Sequence, residues 1–244
     1  MSKGVTLAID GREITAKPGQ TILRAAQDNG VYIPRLCDKE GLEPIGGCRV
    51  CTVRVNGRSV SACTQPIVDG MVVENDTEEL RSWRKQIIEM LFVEGNHFCM
   101  VCEKSGNCEL QALAYRFGIA APRYPYLWPH RDVDASHPHI ILDRNRCILC
   151  ARCERTSRDL DGKNVFGFVG RGITKKLAVN ADARLVGTDV DITDRAIDAC
   201  PVGAILRKNS AYRTPVGERR FDTQPIGASI EAPATLTVEG GKPK

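Results

Sequence analysis

The chain of 244 residues contains eleven cysteines and four histidines and has a formal net charge of +4 at pH 7. It has no run of about eighteen apolar residues that could span a membrane and no signal peptide at its N-terminus, so we expect a cytoplasmic protein. The net charge counts every cysteine as neutral, and metal-bound thiolates would offset it, so it does not indicate nucleic-acid binding. Disulfides are typical of short secreted chains, and an odd cysteine count would leave one thiol unpaired.

Apolar and polar residues alternate in several short runs within residues 1–76, as they do in the strands of a small β-sheet. Four short runs predict two hairpins with Asn-Gly or Asp-Gly turns: residues 5–9 and 12–16 around Asp10-Gly11, and residues 50–55 and 58–62 around Asn56-Gly57. Thr21 predicts a helix N-cap, and Val72-Val73 predicts a last short strand. This order of elements indicates a β-grasp domain of the ferredoxin type.

The first cysteine group lies in this region with the spacing C-x10-C-x2-C-x11-C: Cys37, Cys48, Cys51 and Cys63. Thiolates are the ligands of iron–sulfur clusters, and Gly46-Gly47 frees the backbone to curl around them. Together with the β-grasp pattern, the spacing predicts a [2Fe–2S] cluster. Zinc is the alternative, but its four-thiolate sites usually show two CxxC pairs, and only one occurs here.

A helical segment is predicted over residues 77–120. Thr77 predicts an N-cap, and the apolar face of the following helix includes Trp83, which we expect in the core. A second helix is predicted over residues 108–117. Between them lies the second group, spaced H-x-C-x2-C-x5-C: His97, Cys99, Cys102 and Cys108.

Three thiolates leave the second group one ligand short of a [4Fe–4S] cluster. His97 is the nearest candidate for the fourth ligand, and its neutral imidazole would make the cluster less negative. Two alternatives remain at this point. In both, His97 only caps the loop; in one the fourth iron site is open, and in the other the cluster is [3Fe–4S].

Residues 121–212 form the third region. Residues 121–139 are rich in proline and aromatic residues and predict an extended connector, in which three histidines lack ligand spacing and are expected at the surface: His130, His137 and His139. The third group follows, with the spacing C-x2-C-x2-C-x46-C: Cys147, Cys150, Cys153 and Cys200. Such a run with a distant Cys-Pro is the [4Fe–4S] signature of bacterial ferredoxins. Because only one run occurs, Cys200 should complete the same cluster.

The rest of this region predicts further elements and a tail. Strands are predicted at residues 165–169 and 177–179, and helices after Cys153 and before Cys200. The tail, residues 213–244, is rich in proline, glycine and threonine, and it is expected either to be disordered or to wrap a partner. Seven arginines beside the cysteines either offset cluster charge or are solvated surface: Arg49, Arg54, Arg144, Arg146, Arg152, Arg155 and Arg158.

The three groups, in this order, resemble the N-terminal part of the large iron–sulfur subunit of respiratory complex I. They resemble more closely the small diaphorase subunit of soluble NAD-reducing [NiFe] hydrogenases. Six segments carry the resemblance: VYIPRLC (31–37), GGCRVCTVRVNG (46–57), EGNHFCMVCEKSGNCELQA (94–112), RYPY (123–126), DRNRCILCARC (143–153) and ACPVGAI (199–205). Complex I has three residues between the histidine and the next cysteine, whereas this chain has one. The complex I subunit also continues into a further domain, and both differences favour the hydrogenase.

The resemblance implies an α+β protein with a β-grasp [2Fe–2S] domain, a helical His/Cys3 segment and a bacterial-ferredoxin-like [4Fe–4S] domain. It supports His97 as a ligand, and hence one [2Fe–2S] and two [4Fe–4S] clusters. It further implies a hetero-oligomeric oxidoreductase that converts H2 and NAD+ to NADH and H+. This chain would relay electrons between a flavin/NAD-binding large diaphorase subunit and a [NiFe] hydrogenase small subunit.

The chain lacks a G-x-G-x-x-G or P-loop motif, and no catalytic residue of its own is expected. The alternative functions are the same relay in an NAD-dependent formate dehydrogenase or a complex I-like assembly, and a metal-stabilised binding module without redox work.

Overall fold

The computed structural model describes residues 4–182 and 184–228. The first sheet has five strands in the order β2-β1-β5-β3-β4. The strands are β1 (Val5–Ile9), β2 (Arg12–Ala16), β3 (Thr52–Val55), β4 (Arg58–Ser61) and β5 (Met71–Glu74). β5 runs parallel to β1 and antiparallel to β3, so it joins the two hairpins into one sheet.

Both predicted hairpins are confirmed. Asp10 and Gly11 have φ of 49° and 78°, and Asn56 and Gly57 have φ of 46° and 82°. Two successive residues with positive φ make the type I′ turn that matches the twist of paired strands. The local sequence therefore sets the register of both strand pairs.

Helix α1 (Ile22–Asp28) packs its apolar face on this sheet. The Thr21 side chain accepts a hydrogen bond from the backbone N–H of Arg24 at 3.3 Å, so the predicted N-cap is confirmed. Ile22, Leu23 and two alanines are fully buried in a core with β1, β3 and β5. Cys51 and Cys63 belong to the same core.

The helical segment contains α2 (Glu78–Val93) and α3 (Glu109–Arg116). Thr77 caps α2 as predicted, because its hydroxyl accepts from the backbone N–H of Leu80 at 3.3 Å. The expectation for Trp83 is wrong: its ring is half-buried and lies 5.7 Å from the Arg54 guanidinium. Arg84, 2% exposed, is the residue that points inward.

Arg84 is tolerated in the interior because every hydrogen bond donor group of its guanidinium has an acceptor. It donates to the backbone carbonyls of Val50, Thr52 and Asn75 at 3.2, 2.9 and 2.7 Å and to the Asn75 side chain at 2.8 Å. Burial lowers its pKa to about 10, so it stays charged at pH 7. These bonds tie α2 to Val50 within the first cysteine group, to Thr52 at the start of β3, and to Asn75 just after β5.

The C-terminal region contains a three-stranded sheet, a hairpin and two helices. Its elements are β6 (Val133–Asp134), β7 (Ile140–Asp143), α4 (Arg152–Asp159), β8 (Phe166–Val169), β9 (Lys176–Val179), α5 (Arg195–Ala199) and β10 (Ile205–Arg207). β7 lies between β6 and β10, and β8 pairs with β9. β6 falls inside the stretch expected to be an extended connector, where Asp134 pairs with Leu142.

Up to residue 228 the tail has defined structure, which differs from the expectation of disorder, whereas the expectation that it wraps a partner stays a prediction. It contains the short helix α6 (Arg220–Thr223) and lies against its own chain. The backbone N–H of Phe221 donates to the Gly106 carbonyl at 2.9 Å, and Arg116 donates to the Ile226 carbonyl at 3.0 Å. Residues 229–244 lie outside the described part of the chain.

A second apolar core joins α2 and α3 to the C-terminal region. It includes Ile88, Leu113, Ile140 and Ile205, and also Leu36 and Val50 beside the first cysteine group. The three cysteine groups therefore surround shared interior packing. Among the described residues, none of the helices combines the length and apolarity that crossing a bilayer requires.

Candidate metal centres

The structure brings the four cysteines of the first group together. The backbone N–H of Cys37 donates to the Cys48 sulfur at 3.3 Å, and that of Cys48 donates to the Cys37 sulfur at 3.4 Å. Hydrogen bonds from the Cys48 and Cys63 thiols lower the pKa of Cys37, and a bond with Cys63 lowers that of Cys51. The pKa of Cys63 is raised by the same contacts. Four sulfurs thus share protons that a metal cluster would displace.

The loop around these sulfurs depends on left-handed backbone. Gly46 has φ of +62°, and a Cβ there would lie 3.3 Å from Thr64. Arg49, between Cys48 and Cys51, also has a positive φ of 61°. Beside the loop, the Ser61 hydroxyl is buried without a hydrogen bond partner. It is therefore a polar group available to a ligand held by the cysteines.

The second group lines one cavity. Its walls include all four predicted residues, His97, Cys99, Cys102 and Cys108, together with Arg146 and Gly203 from the C-terminal region. Cys99 begins a short 3-10 turn, and the Cys108 sulfur accepts from the backbone N–H of Gln111 at 3.5 Å, at the start of α3. Burial raises the pKa of Cys108 to about 12.

His97 has the state that metal ligation requires. Burial, reinforced by the positive charge of Arg146, lowers its pKa to about 4, so the imidazole is neutral at pH 7. The Leu91 carbonyl accepts a hydrogen bond from the ring, and Nε2 is buried without a partner. One ring nitrogen held by a carbonyl and the other left free is the usual arrangement of a ligating histidine. This orphaned nitrogen fits a cluster as the fourth ligand.

Two residues with left-handed backbone conformation shape the loop that carries the third group. Leu149 and Ala151 have φ of 54° and 57°, and the backbone N–H of Leu149 donates to the Cys147 sulfur at 3.4 Å. Burial, together with the nearby charge of Cys200, raises the pKa of Cys147 to about 11 and that of Cys150 to about 12. Cys200, at the end of α5, therefore lies beside the C-x2-C-x2-C run.

Arginines connect the groups, and the sequence alone left their role open. Arg155 donates to the carbonyls of Cys37 and Glu43, which places α4 against the first group. Arg146 contacts the Cys102 sulfur at 3.6 Å. Arg158, in contrast, is exposed and paired with Glu154 and Asp159 at the surface.

The second and third groups also meet directly. A Cβ on Gly203, three residues after Cys200, would lie 2.9 Å from the Cys102 sulfur, so only glycine fits there. The backbone N–H of Glu109 donates to the Pro201 carbonyl at 2.8 Å. Glu109, which follows the last cysteine of the second group, therefore contacts Pro201, which follows the last cysteine of the third group.

The remaining histidines lie apart from these groups. His130 and His139 are exposed, and His137 is half-buried with its ring 6.1 Å from that of His139. Over residues 4–182 and 184–228, no three His, Cys, Asp or Glu side chains stand as a site for a single metal ion.

Three family models match successive parts of the chain. Residues 2–78 match a 2Fe-2S iron-sulfur cluster binding domain. Residues 84–123 match the NADH-ubiquinone oxidoreductase-G iron-sulfur binding region, and residues 137–206 match the ferredoxin-like domain of NADH-quinone oxidoreductase subunit 3. Each match contains one complete cysteine group, with its histidine in the second. The cofactors are therefore one [2Fe–2S] and two [4Fe–4S] clusters.

Similar proteins include hydrogenase and complex I subunits. The NAD-reducing hydrogenase HoxS subunit gamma of Cupriavidus necator is 40% identical over 92% of this chain and 96% of its own length. A chain from the crystal structure of NAD+-reducing [NiFe]-hydrogenase in the H2-reduced state matches with a TM-score of 0.89 and 45% identity, over 92% of this chain and 96% of that one. The 78 kDa NADH-ubiquinone oxidoreductase subunit of Candida albicans is 34% identical, but the match spans 29% of its length.

Proposed function

The chain belongs to the family of the gamma subunits of NAD-reducing hydrogenases, and on this basis we propose that it relays electrons between two partner subunits of such a complex. It is an iron–sulfur electron-transfer subunit of an oxidoreductase complex and is related to complex I subunits. The proposed partners are a flavin/NAD-binding diaphorase subunit and a [NiFe] hydrogenase small subunit. The proposed location is the cytoplasm, where thiols stay reduced.

We propose twelve ligands in three sets of four. Cys37, Cys48, Cys51 and Cys63 hold the [2Fe–2S] cluster, on a sheet that we assign to the β-grasp class. His97, Cys99, Cys102 and Cys108 hold one [4Fe–4S] cluster, and Cys147, Cys150, Cys153 and Cys200 hold the other. When bound, such clusters accept and release single electrons.

The contacts between groups support a spatial order of first, third and middle. Arg155, two residues after Cys153, reaches the Cys37 carbonyl. Gly203, just after Cys200, lies against the Cys102 sulfur. This continuous chain of contacts is the observation that carries the relay proposal, because short steps are what electron tunnelling requires.

The surface around the middle group supports an exit toward a partner. Met100 is 97% exposed, Phe98 57% and Val101 66%, although all three are apolar. Trp128 stacks on Phe98 with ring centroids 5.9 Å apart. Exposed apolar patches of this kind mark interaction sites, and we assign this one to the hydrogenase module. The first group, beside exposed Ile45, is assigned to the diaphorase side.

The experiment is purification of the assembly through a tag on this chain. We expect a flavoprotein and a [NiFe] pair to copurify, with about ten irons bound to this subunit, two for the first group and four for each of the others. A formate dehydrogenase in place of the [NiFe] pair would keep the relay but change the complex. A colourless, zinc-loaded protein would refute the relay.

A matched pair of variants tests the docking surface. Val101→Glu places a charge in the apolar patch beside the middle group, whereas Ile173→Glu places one on the β8–β9 turn at similar exposure, 63% against 66%. We expect Val101→Glu to release the [NiFe] module and Ile173→Glu to retain it. Retention in both variants would contradict the assignment of the surface.

A further inference from the structure

An ion pair lies where the three cysteine groups meet. Arg152, in the first turn of α4, donates through both terminal nitrogens to the two carboxylate oxygens of Glu109, each at 2.8 Å. The Arg152 side chain is 4% exposed and that of Glu109 is 23% exposed. None of the twelve ligands is part of this pair. Its two charges are close enough to the proposed clusters to affect how readily each cluster accepts an electron.

The positive end of the pair lies by the first and third groups. Arg152 lies between Cys150 and Cys153 of the third group, and Arg155, one turn later on α4, reaches the Cys37 carbonyl. Because residues three apart share a helix face, Arg152 faces the first group too. The charges of Cys150 and Cys48 both act on its guanidinium.

The negative end lies by the middle group. Glu109 directly follows Cys108 and begins α3, so its carboxylate belongs to the segment of the middle group, although its backbone N–H donates to the Pro201 carbonyl of the third group's segment at 2.8 Å. The pair is therefore a fixed dipole directed from the middle group toward the other two. Two hydrogen bonds of 2.8 Å hold the guanidinium and the carboxylate together, so the positions of the two charges are fixed.

We propose that the Arg152–Glu109 pair biases the electron toward the first and third groups and away from the middle group. A buried positive charge stabilises an added electron nearby, a carboxylate destabilises it, and the scarcity of water leaves both effects weakly screened. When a reduced middle group gives one electron to an oxidised third group, negative charge moves away from Glu109 and toward Arg152. The pair favours that transfer. The Nε–H of Arg152, buried without a partner, adds a free donor on the same side.

The inference rests on the proposed function, because it needs clusters in all three groups. Arg152 and Glu109 are positioning residues and bind no iron. Their effect is therefore a shift in reduction potential that leaves the ligand sets and cluster composition unchanged. A purely structural ion pair would change stability and leave the potential differences as they are.

The test is a redox titration of the intact complex followed by EPR. In Arg152→Gln, we expect the reduction potentials of the first and third clusters to fall relative to that of the middle cluster. The equilibrium constant for electron transfer between the middle and third clusters should change about tenfold. A tenfold change corresponds to 59 mV for a one-electron couple. Arg152→Lys, which keeps the charge, should restore most of the difference.

Arg158→Gln is the matched control, since Arg158 is on the same helix but 47% exposed and paired at the surface. It should leave all three potentials unchanged. Glu109→Gln should raise the reduction potential of the middle cluster more than those of the other two. If Arg152→Gln fails to assemble, the potentials measured in Glu109→Gln test the inference. Unchanged potential differences in a fully loaded Arg152→Gln or Glu109→Gln complex would overturn the inference. Absence of iron from the unmodified complex would instead overturn the proposed function.

Discussion

The first and middle groups each contain four proposed ligands, but the chain holds them in different ways. In the first group, Cys37, Cys51 and Cys63 are at most 1% exposed and are packed beside a five-stranded sheet. The middle group sits on a loop with one short 3-10 turn, next to Met100, which is 97% exposed. Apolar packing positions the first set of ligands. The second set depends on a few polar contacts and on the metal it binds.

The contacts that hold the middle loop come from distant parts of the chain. Asn96 bonds to Asn145 through backbone and side chain, at 2.8 and 2.9 Å. The Tyr212 hydroxyl donates to the Val101 carbonyl at 2.8 Å, and the Phe221 backbone donates to Gly106 at 2.9 Å. The exposed site is thus fastened by the C-terminal region and the tail, whereas the first group is fastened mainly by its own sheet. Four experiments test this contrast.

The largest effect is expected from His97→Ala. Removing the buried, unpartnered nitrogen should change or abolish the EPR signal of the middle cluster and leave the other two signals unchanged. His139→Ala, at an exposed position, is the control and should have no effect. An unchanged middle signal in His97→Ala would show that His97 is not a ligand.

Arg84→Met should destabilise the region of the first group. It removes the donor to four acceptors on Val50, Thr52 and Asn75, and buried unsatisfied carbonyls make the expected loss about 3 kcal/mol of unfolding free energy. Denaturant unfolding of the purified complex measures it. Arg81→Met on the same helix, 59% exposed and paired with Asp76, should lose about 0.5 kcal/mol or less. Equal losses of unfolding free energy in the two variants would show that Arg84 does not anchor the region of the first group.

Gly106→Ala should loosen the tail from the middle loop. Gly106 has φ of +77°, and a Cβ there would overlap the Arg219 side chain. Gly118→Ala is the matched control, since φ is +62° with open space around it, so both variants lose about 1 kcal/mol through backbone strain. Only Gly106→Ala should also perturb the middle EPR signal. Identical spectra in the two variants would mean that the tail does not support the site.

The smallest effect is expected in the rates of metal loss. When the oxidised complex is treated with an iron chelator, the middle cluster should lose iron several-fold faster than the first, because its loop borders exposed residues. EPR and absorbance at intervals follow each cluster separately. Faster loss from the first group would reverse the contrast between the two regions.

Local sequence signals predicted much of the fold. The turns at Asp10-Gly11 and Asn56-Gly57 and the caps at Thr21 and Thr77 depend on side chains and backbone within a few residues, and all four are confirmed. The cysteine spacing likewise indicated which thiols lie together. In these places the physical cause is contained in a short stretch of chain.

The remainder depends on long-range contacts. The prediction for Trp83 was wrong because helical spacing does not reveal that Arg84, with acceptors up to 34 residues away, takes the inward position. The strand β6 was missed because Val133–Asp134 pairs only through β7. The sequence also could not separate buried Arg152 from exposed Arg158, since both follow a cysteine in an arginine-rich run.

The bond from Arg155 to the Cys37 carbonyl has a consequence for biogenesis. The two residues are 118 positions apart in the chain, and at about 5–20 residues per second the ribosome needs roughly 6–24 s to reach the second after the first. Throughout that interval the Cys37 loop is without its clamp. The Cys37 loop therefore reaches its final backbone geometry only after α4 has been synthesised, whereas the last strand of the sheet that packs with Cys51 and Cys63 already ends at Glu74.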